Sequence, residues 1–186
     1  MFDHFDVFAS VYDRLIGPPD HQKLSELLRL PTDGWLLDAG GGTGRVSATL
    51  RPLVGNLVVS DLSQPMLKQA QAKGSLCPIR AHVERLPFPN EHFERVLVVD
   101  AFHHFCDQQE SISDLLRVLK PGGRLVIEEP NIHSFAVKIV AVIEKLALMR
   151  SHFYSPEAIQ GMITSYGLTA HIRDDDRHRA WVIADK

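Results

Sequence analysis

Trp35-Leu36-Leu37-Asp38-Ala39-Gly40-Gly41-Gly42-Thr43-Gly44-Arg45-Val46 is the stretch that decides the fold. Three apolar residues run into an acid, and four glycines then fall within five positions. Strand, tight glycine turn and helix start is the order found where a parallel sheet meets a nucleotide-like ligand. Glycine serves there because the backbone must take positive φ and approach a ligand with no Cβ in the way. The spacing separates two kinds of ligand. A dinucleotide fingerprint, G-x-G-x-x-G counted from Gly40 and Gly42, puts its third glycine at residue 45, which is Arg45. Here the glycine comes one position earlier, so the pattern reads Asp38-x-Gly40-x-Gly42-x-Gly44, with Gly41 inside it.

This pattern resembles motif I of the class I S-adenosylmethionine (SAM) dependent methyltransferases. Three later stretches, in the family's order, extend the resemblance over residues 36 to about 129. The first is Leu57-Val58-Val59-Ser60, a short β-branched run ending at Asp61. An acid at the second strand's end can accept hydrogen bonds from both ribose hydroxyls, although aspartate is also a common turn residue. Ser63-Gln64-Pro65-Met66-Leu67 is similar to the family's D-x-S-x-x-M-L, which implies that Leu62 and Met66 flank an adenine. The second stretch runs from Val83-Glu84-Arg85-Leu86-Pro87-Phe88 to Val96 and resembles the segment between the third and fourth strands. Here the chain departs from the family: the acid that usually contacts the adenine amino group aligns with His82. The resemblance then implies a normal fold with a weaker adenine site, met by His82 itself or by Val83 and Glu84.

The third stretch pairs Val98-Val99-Asp100-Ala101-Phe102-His103-His104-Phe105 with Leu116-Arg117-Val118-Leu119-Lys120-Pro121-Gly122-Gly123-Arg124-Leu125. These look like the family's "A-L-H-H" and "R-V-L-K-P-G-G-x-L", and Asp100 falls where the cofactor's methionine end is implied. Adjacent histidines do not face the same way on a helix and no third ligand is spaced near them, so a metal pair is disfavoured. One packs inside and the other borders an acceptor pocket. At the start, Phe5-Asp6-x-Phe8-Ala9-x-x-Tyr12-Asp13 looks like the opening of the ubiquinone/menaquinone C-methyltransferase-like group. In that reading residues 1–30 are a helical lid and Tyr12 closes over the cofactor. An amphipathic helix that simply buries its aromatic side fits equally.

The remaining sequence sets bounds. A chain of 186 residues reads as one domain with a substantial core. Net charge is −3, with no basic patch for nucleic acid. Cys77 and Cys106 have no redox or metal spacing, no signal peptide opens the chain, and no apolar run is long enough for a bilayer, so a cytoplasmic protein is expected. Apolar and β-branched runs at 35–39, 57–60, 79–83, 95–99, 124–128, 168–173 and 180–184 alternate with helical patterns. They predict a three-layer, doubly wound, Rossmann-like α/β sheet of seven strands, parallel except for an antiparallel C-terminal pair. Helices are expected from Asp20 to residue 30, over 45–50, after Ser63, over 109–119 and 134–149, and after Ser155. Residues 130–166 read as a helical insertion on the substrate side.

The implied chemistry is SAM-dependent methyl transfer (EC 2.1.1.-) to a small-molecule acceptor, yielding S-adenosylhomocysteine. The protein must align a nucleophile in line with the S–CH₃ bond and exclude water. Where a general base helps, histidine suits neutral pH. His133, just past the fifth strand, is the first candidate and His103 the second. The alternative is a SAM-binding, non-catalytic or regulatory protein, kept open by His82. A homodimer is compatible with either reading. An NAD(P) oxidoreductase is disfavoured by Arg45 and by the absence of a Tyr-x-x-x-Lys pair.

Overall fold

The computed structural model describes residues 18–133, 152–175 and 178–186. Tyr12, the opening motif and the helix expected over 134–149 lie outside these residues. The strands are β1 (Thr32–Ala39), β2 (Val54–Asp61), β3 (Cys77–Arg80), β4 (Phe93–Val99), β5 (Leu119–Pro130), β6 (Ala170–Asp174) and β7 (Arg179–Asp185). They form one sheet in the order β3-β2-β1-β4-β5-β7-β6. From β3 to β5 the neighbours are parallel, while β5–β7 and β7–β6 are antiparallel. The chain winds outward from β1 to β3, then returns to the other side of β1 for β4. That reversal opens a crevice at the carboxyl ends of β1 and β4, the place where such sheets bind ligands.

Local chemistry sets the helix starts. α1 (His21–Leu28), α3 (Gln64–Ala72), α4 (Gln108–Val118) and α5 (Pro156–Thr164) each begin on a side-chain cap. The caps are Asp20, Ser63, Asp107 and Ser155, each accepting from a backbone N–H three residues on. Such a cap satisfies a donor that the helix cannot and is worth about 1 kcal/mol. α2 (Arg45–Leu50) instead starts from Gly44 in the left-handed region at φ 68°. α1 stops two residues earlier than expected, because Arg29 turns left-handed at φ 53° before Pro31.

Helices cover both faces. Leu24, Leu27 and Leu28 of α1, Val46 and Leu50 of α2 and Leu67 of α3 pack on one side with Leu36 and Leu97 of the sheet. Ile112 and Leu115 of α4 and Ile159 and Ile163 of α5 pack on the other with Leu37, Val96 and Val98. Alternating residues of β4 thus feed opposite layers, as the pleat requires of a strand buried on both faces. Val96, Leu97 and Val98 are fully buried, each contributing roughly 1.5–3 kcal/mol of transfer free energy.

α1 is fastened far from the crevice. Arg95 of β4 and Arg124 of β5, paired with each other in the sheet, donate to its last carbonyls at Leu28 and Leu27. This described part of the expected lid packs on a sheet face.

Two other stretches differ from the sequence reading. β3 is Cys77–Arg80, and Val83 falls in a 3₁₀ turn, Val83–Arg85. The turn is held by Glu84, whose Oε1 accepts from Cys106 N and Asp107 N. Lys120-Pro121-Gly122-Gly123, a proline-glycine run of the kind that marks turns, is drawn into β5. Leu119 and Arg124 both pair with β4 while the residues between them bulge, with Gly122 at φ 76°. The Arg117 guanidinium clamps the preceding loop by donating to the carbonyls of Phe88 and Leu86.

Candidate functional site

The glycine loop hangs from the end of β2. Gly40 N and Gly41 N donate to Ser60 O at 2.7 and 3.1 Å, and Gly42 N donates to Asp61 Oδ2 at 2.9 Å. Steric demand explains two of the glycines. A Cβ at Gly40, where φ is 74°, would sit 2.6 Å from Ala101 Cβ. One at Gly41 would sit 2.6 Å from Asp38 Cγ. Asp38 is buried, and the Ser47 hydroxyl donates to its Oδ2 at 2.6 Å. Burial pushes its carboxyl up to about 6; the Ser47 bond opposes the shift and the Asp61 charge adds to it.

These elements wall a cavity of about 140 Å³. It gathers Asp38, Gly40, Gly41, Gly42, Asp61, Leu62, Met66, Val83, Glu84 and Asp100, all named from the sequence. Gly44 is not among its walls: it packs against Leu76 and Ala70, where a Cβ would clash. His82 is exposed, with Nδ1 3.7 Å from Glu84 Oε2, while Ala81 and Val83 on either side line the cavity.

Of the His103-His104 pair, one member of which was expected at a pocket, His104 lines the cavity; Arg45, Ser63, Ala101, Phe105 and Cys106 do so too and were not named as site residues. Their only sequence signal was position, beside the glycine loop and the strand ends. Formally four carboxylates (Asp38, Asp61, Glu84 and Asp100) share the cavity with one guanidinium, Arg45.

The carboxyl ends of β4 and β5 form a second polar assembly. Asp100 leaves β4 with φ at 51°, rare outside glycine, its N–H donating to Glu128 O at 3.0 Å. Glu128 is buried; its Oε2 accepts from Trp181 Nε1 at 2.7 Å, and its Oε1 from Arg179. Burial pushes its carboxyl up, against the pull of Arg179 and Trp181.

Next to it, Glu129 Oε1 accepts from Ala101 N at 3.0 Å and Phe102 N at 2.8 Å, and its Oε2 lies 2.5 Å from His103 Nδ1. His103 is therefore held inside the protein. It is buried, stacked on Phe153 with ring centres 4.3 Å apart, and does not line the cavity. His104, the other member of the pair, does. Burial, reinforced by His103, pulls the His104 imidazole down to about 3, so it is neutral at physiological pH. His133 is exposed and bonded to Glu157 at 3.1 Å, away from the cavity walls. A sequence shows that a histidine follows a strand, but the direction of its side chain depends on partners 24 or 26 residues distant.

Among the described residues, no group of three or more His, Cys, Asp or Glu is placed to hold a metal ion, and no helix is long and apolar enough to cross a membrane.

Comparison with known proteins fits this geometry. Residues 37–127 match the methyltransferase domain family. The ubiquinone/menaquinone biosynthesis C-methyltransferase UbiE of Pseudomonas fluorescens (strain SBW25) is 35% identical over 114 residues, 56% of this chain and 44% of the relative. The chain thus spans less than half the length of the curated relatives it matches.

Among solved structures, a chain in the complex between the Haloferax volcanii Trm112 methyltransferase activator and a methyltransferase superposes with TM-score 0.82. It is 18% identical, with 100% of this chain and 98% of that one covered. Geranyl diphosphate C-methyltransferase from Streptomyces coelicolor A3(2), solved with Mg²⁺, geranyl diphosphate and S-adenosylhomocysteine, gives 0.76 at 17% identity, covering 89% and 76%. At such identities the likeness is one of fold. Glycine loop, strand-end acid and sheet order agree with these matches: residues 37–127 of this chain are similar to the methyltransferase domain family, and the sheet has the fold of the solved methyltransferases.

Proposed function

We propose that the chain is a SAM-dependent methyltransferase that acts on a small-molecule acceptor in the cytoplasm. The observation that carries the reading is Asp61. Its carboxylate closes the end of β2, accepts from Gly42 N at 2.9 Å and Ser63 N at 2.8 Å, and borders the cavity. Each oxygen thus has a backbone donor, and a carboxylate oxygen can accept more than one hydrogen bond, as contact with a ribose hydroxyl would require.

The other walls suit the same molecule. Gly42 has no side chain between the loop and the cavity, and a Cβ there would find only Asp61, 3.8 Å away. Leu62, Met66, Ala81 and Val83 supply apolar surface for a purine, and the surplus of carboxylates favours a ligand with a sulfonium and an ammonium group.

When bound, SAM supplies an electrophilic methyl group. The protein's part is to bind, orient and keep water out. Val99, Ala101 and Phe105 make the wall beside Asp100 apolar, and His104 presents a neutral imidazole there. Neither His133 nor His103 reaches this wall, so the acceptor's nucleophile is taken as one that reacts without a histidine base, such as an activated carbon or a phenol-like oxygen. The C-methyltransferase names among the relatives support carbon, and an apolar or aromatic acceptor suits the wall. The alternative, SAM binding without turnover, keeps the support that the sequence gave it, since no acid stands at position 82 and His82 lies outside the cavity.

Calorimetric titration with SAM and S-adenosylhomocysteine tests the reading. Wild type binds, Asp61→Ala loses at least about a hundredfold in affinity, and Asp61→Asn, which keeps one acceptor, loses less. A turnover screen with quinone-like and phenolic acceptors follows. Absence of binding by the wild type sinks the cofactor assignment, while binding without turnover of any acceptor favours the non-catalytic reading.

A further inference from the structure

Glu129 makes more contacts than a strand-end acid requires. One oxygen takes both N–H groups that open the turn Phe102–His104, and the other grips His103. Beyond the ring, His103 O accepts from His152 N at 2.7 Å, and the imidazole stacks on Phe153. A single buried carboxylate therefore joins three parts: the end of β5, the turn that walls the cavity, and the chain entering α5. His104 follows directly, its ring 3.9 Å from that of His103, and it faces the cavity.

We propose that Glu129 is a positioning residue: through His103 and the Ala101–Phe102 amides it aims His104 into the cavity and docks residues 152–154 behind that wall. The cavity's role as the methyl-transfer site rests on the function proposed above, but the positioning itself does not.

The electrostatics give the arrangement a signature that packing alone lacks. The carboxylate favours a charged His103, and that charge adds to burial in keeping His104 neutral. Removing the Glu129 charge takes away what favours a charged imidazole at His103. Once that imidazole is neutral, the pair is neutral overall as before, but the charge nearer to His104, the repulsive one, is gone. A substitution that deletes a carboxylate should then raise a neighbouring histidine's pKa, opposite to the usual effect. Among the described residues, the other titratable groups that share the cavity with His104 are Asp38, Arg45, Asp61, Glu84, Asp100 and Cys106, and none of them is altered.

The experiment follows the histidine side chains of the full chain by ¹⁵N NMR from pH 8 down to about 2, past the His104 midpoint, in wild type, Glu129→Gln and His103→Asn. S-adenosylhomocysteine titrations run on the same proteins. The expected result is a His104 midpoint of about 3 in wild type that rises by about half a unit or more in both variants. Binding of S-adenosylhomocysteine should weaken about threefold in Glu129→Gln, which keeps an acceptor for the turn, and at least about tenfold in Glu129→Ala. An unchanged or lowered His104 midpoint in Glu129→Gln overturns the proposal. So does wild-type affinity in Glu129→Ala. If Glu129→Ala does not fold, the Gln and His103→Asn midpoints decide. If wild type binds no S-adenosylhomocysteine, the cofactor assignment fails and the midpoints still decide the positioning role.

Discussion

The cavity has two sides built on different principles. The β1/β2 side is a backbone cradle, with glycines where a Cβ would collide with Asp38 or Ala101, and amides pinned to Ser60 and Asp61. Its determinants lie close in sequence: Ser47 is nine residues from Asp38, and Asp61 nineteen from Gly42. The β4/β5 side is built from side chains that meet only after folding. Glu129 reaches 26 residues to His103, and Glu128 reaches 51 to Arg179 and 53 to Trp181. A cofactor shared by a family is met by backbone, which many sequences can reproduce. On the function proposed above, the acceptor would be met by side chains, which are free to vary.

The hardest way to break the contrast is Gly41→Ala. Its Cβ would lie 2.6 Å from Asp38 Cγ and 2.9 Å from Val59 Cγ1, so the loop must move. Loss of about 3 kcal/mol in stability and of measurable S-adenosylhomocysteine binding is expected, read by thermal melting and calorimetry. Wild-type binding by this variant would show that the cradle is not built on close approach.

Asp38→Asn sharpens the comparison by testing what the cradle costs. The folded-state pKa is raised from 3.8 to about 6, so the proton is held more tightly in the folded protein. Stability from this group is therefore present below pH ~4 and lost as pH rises through about 6, by up to ~3 kcal/mol. Relative to wild type, the Asn variant should gain stability across that window in denaturant titrations at several pH values, while binding the cofactor more weakly. A constant difference from pH 4 to 7 would contradict it.

On the opposite side, Arg179→Ala strands the Glu128 carboxylate. The expected loss is about 2 kcal/mol at pH 7, at the low end for a buried pair because Arg179 is more than a third exposed. Glu128 is already pushed toward its neutral form, so the loss should shrink as pH falls and the stranded group takes up a proton. A deficit that grows on acidification would count against the assignment.

The smallest effect belongs to His133→Ala. Its partnership with Glu157 is between two exposed side chains and lies off the cavity walls. Melting temperature and turnover should stay at wild-type values. A tenfold fall in turnover would restore His133 as a base.

The residues themselves explain how legible each part was. Asp38, the glycines and Asp61 were readable because strand, positive-φ turn and strand-end acid impose fixed residue types at fixed spacing. The β4 run Val96-Leu97-Val98 announced a strand buried on both faces. The seven strands and the antiparallel end followed from the alternation of elements and the family likeness, whereas the order of the strands came only with the tertiary structure. What only tertiary structure decided at the site was direction. Of the adjacent histidines, His103 turns inward because Glu129 and Phe153 are there to receive it, and His104 is left to the cavity. His82 turns outward although its neighbours line the wall. A turn residue's side chain goes where a distant partner satisfies it, and that partner acquires a position only when the sheet has formed.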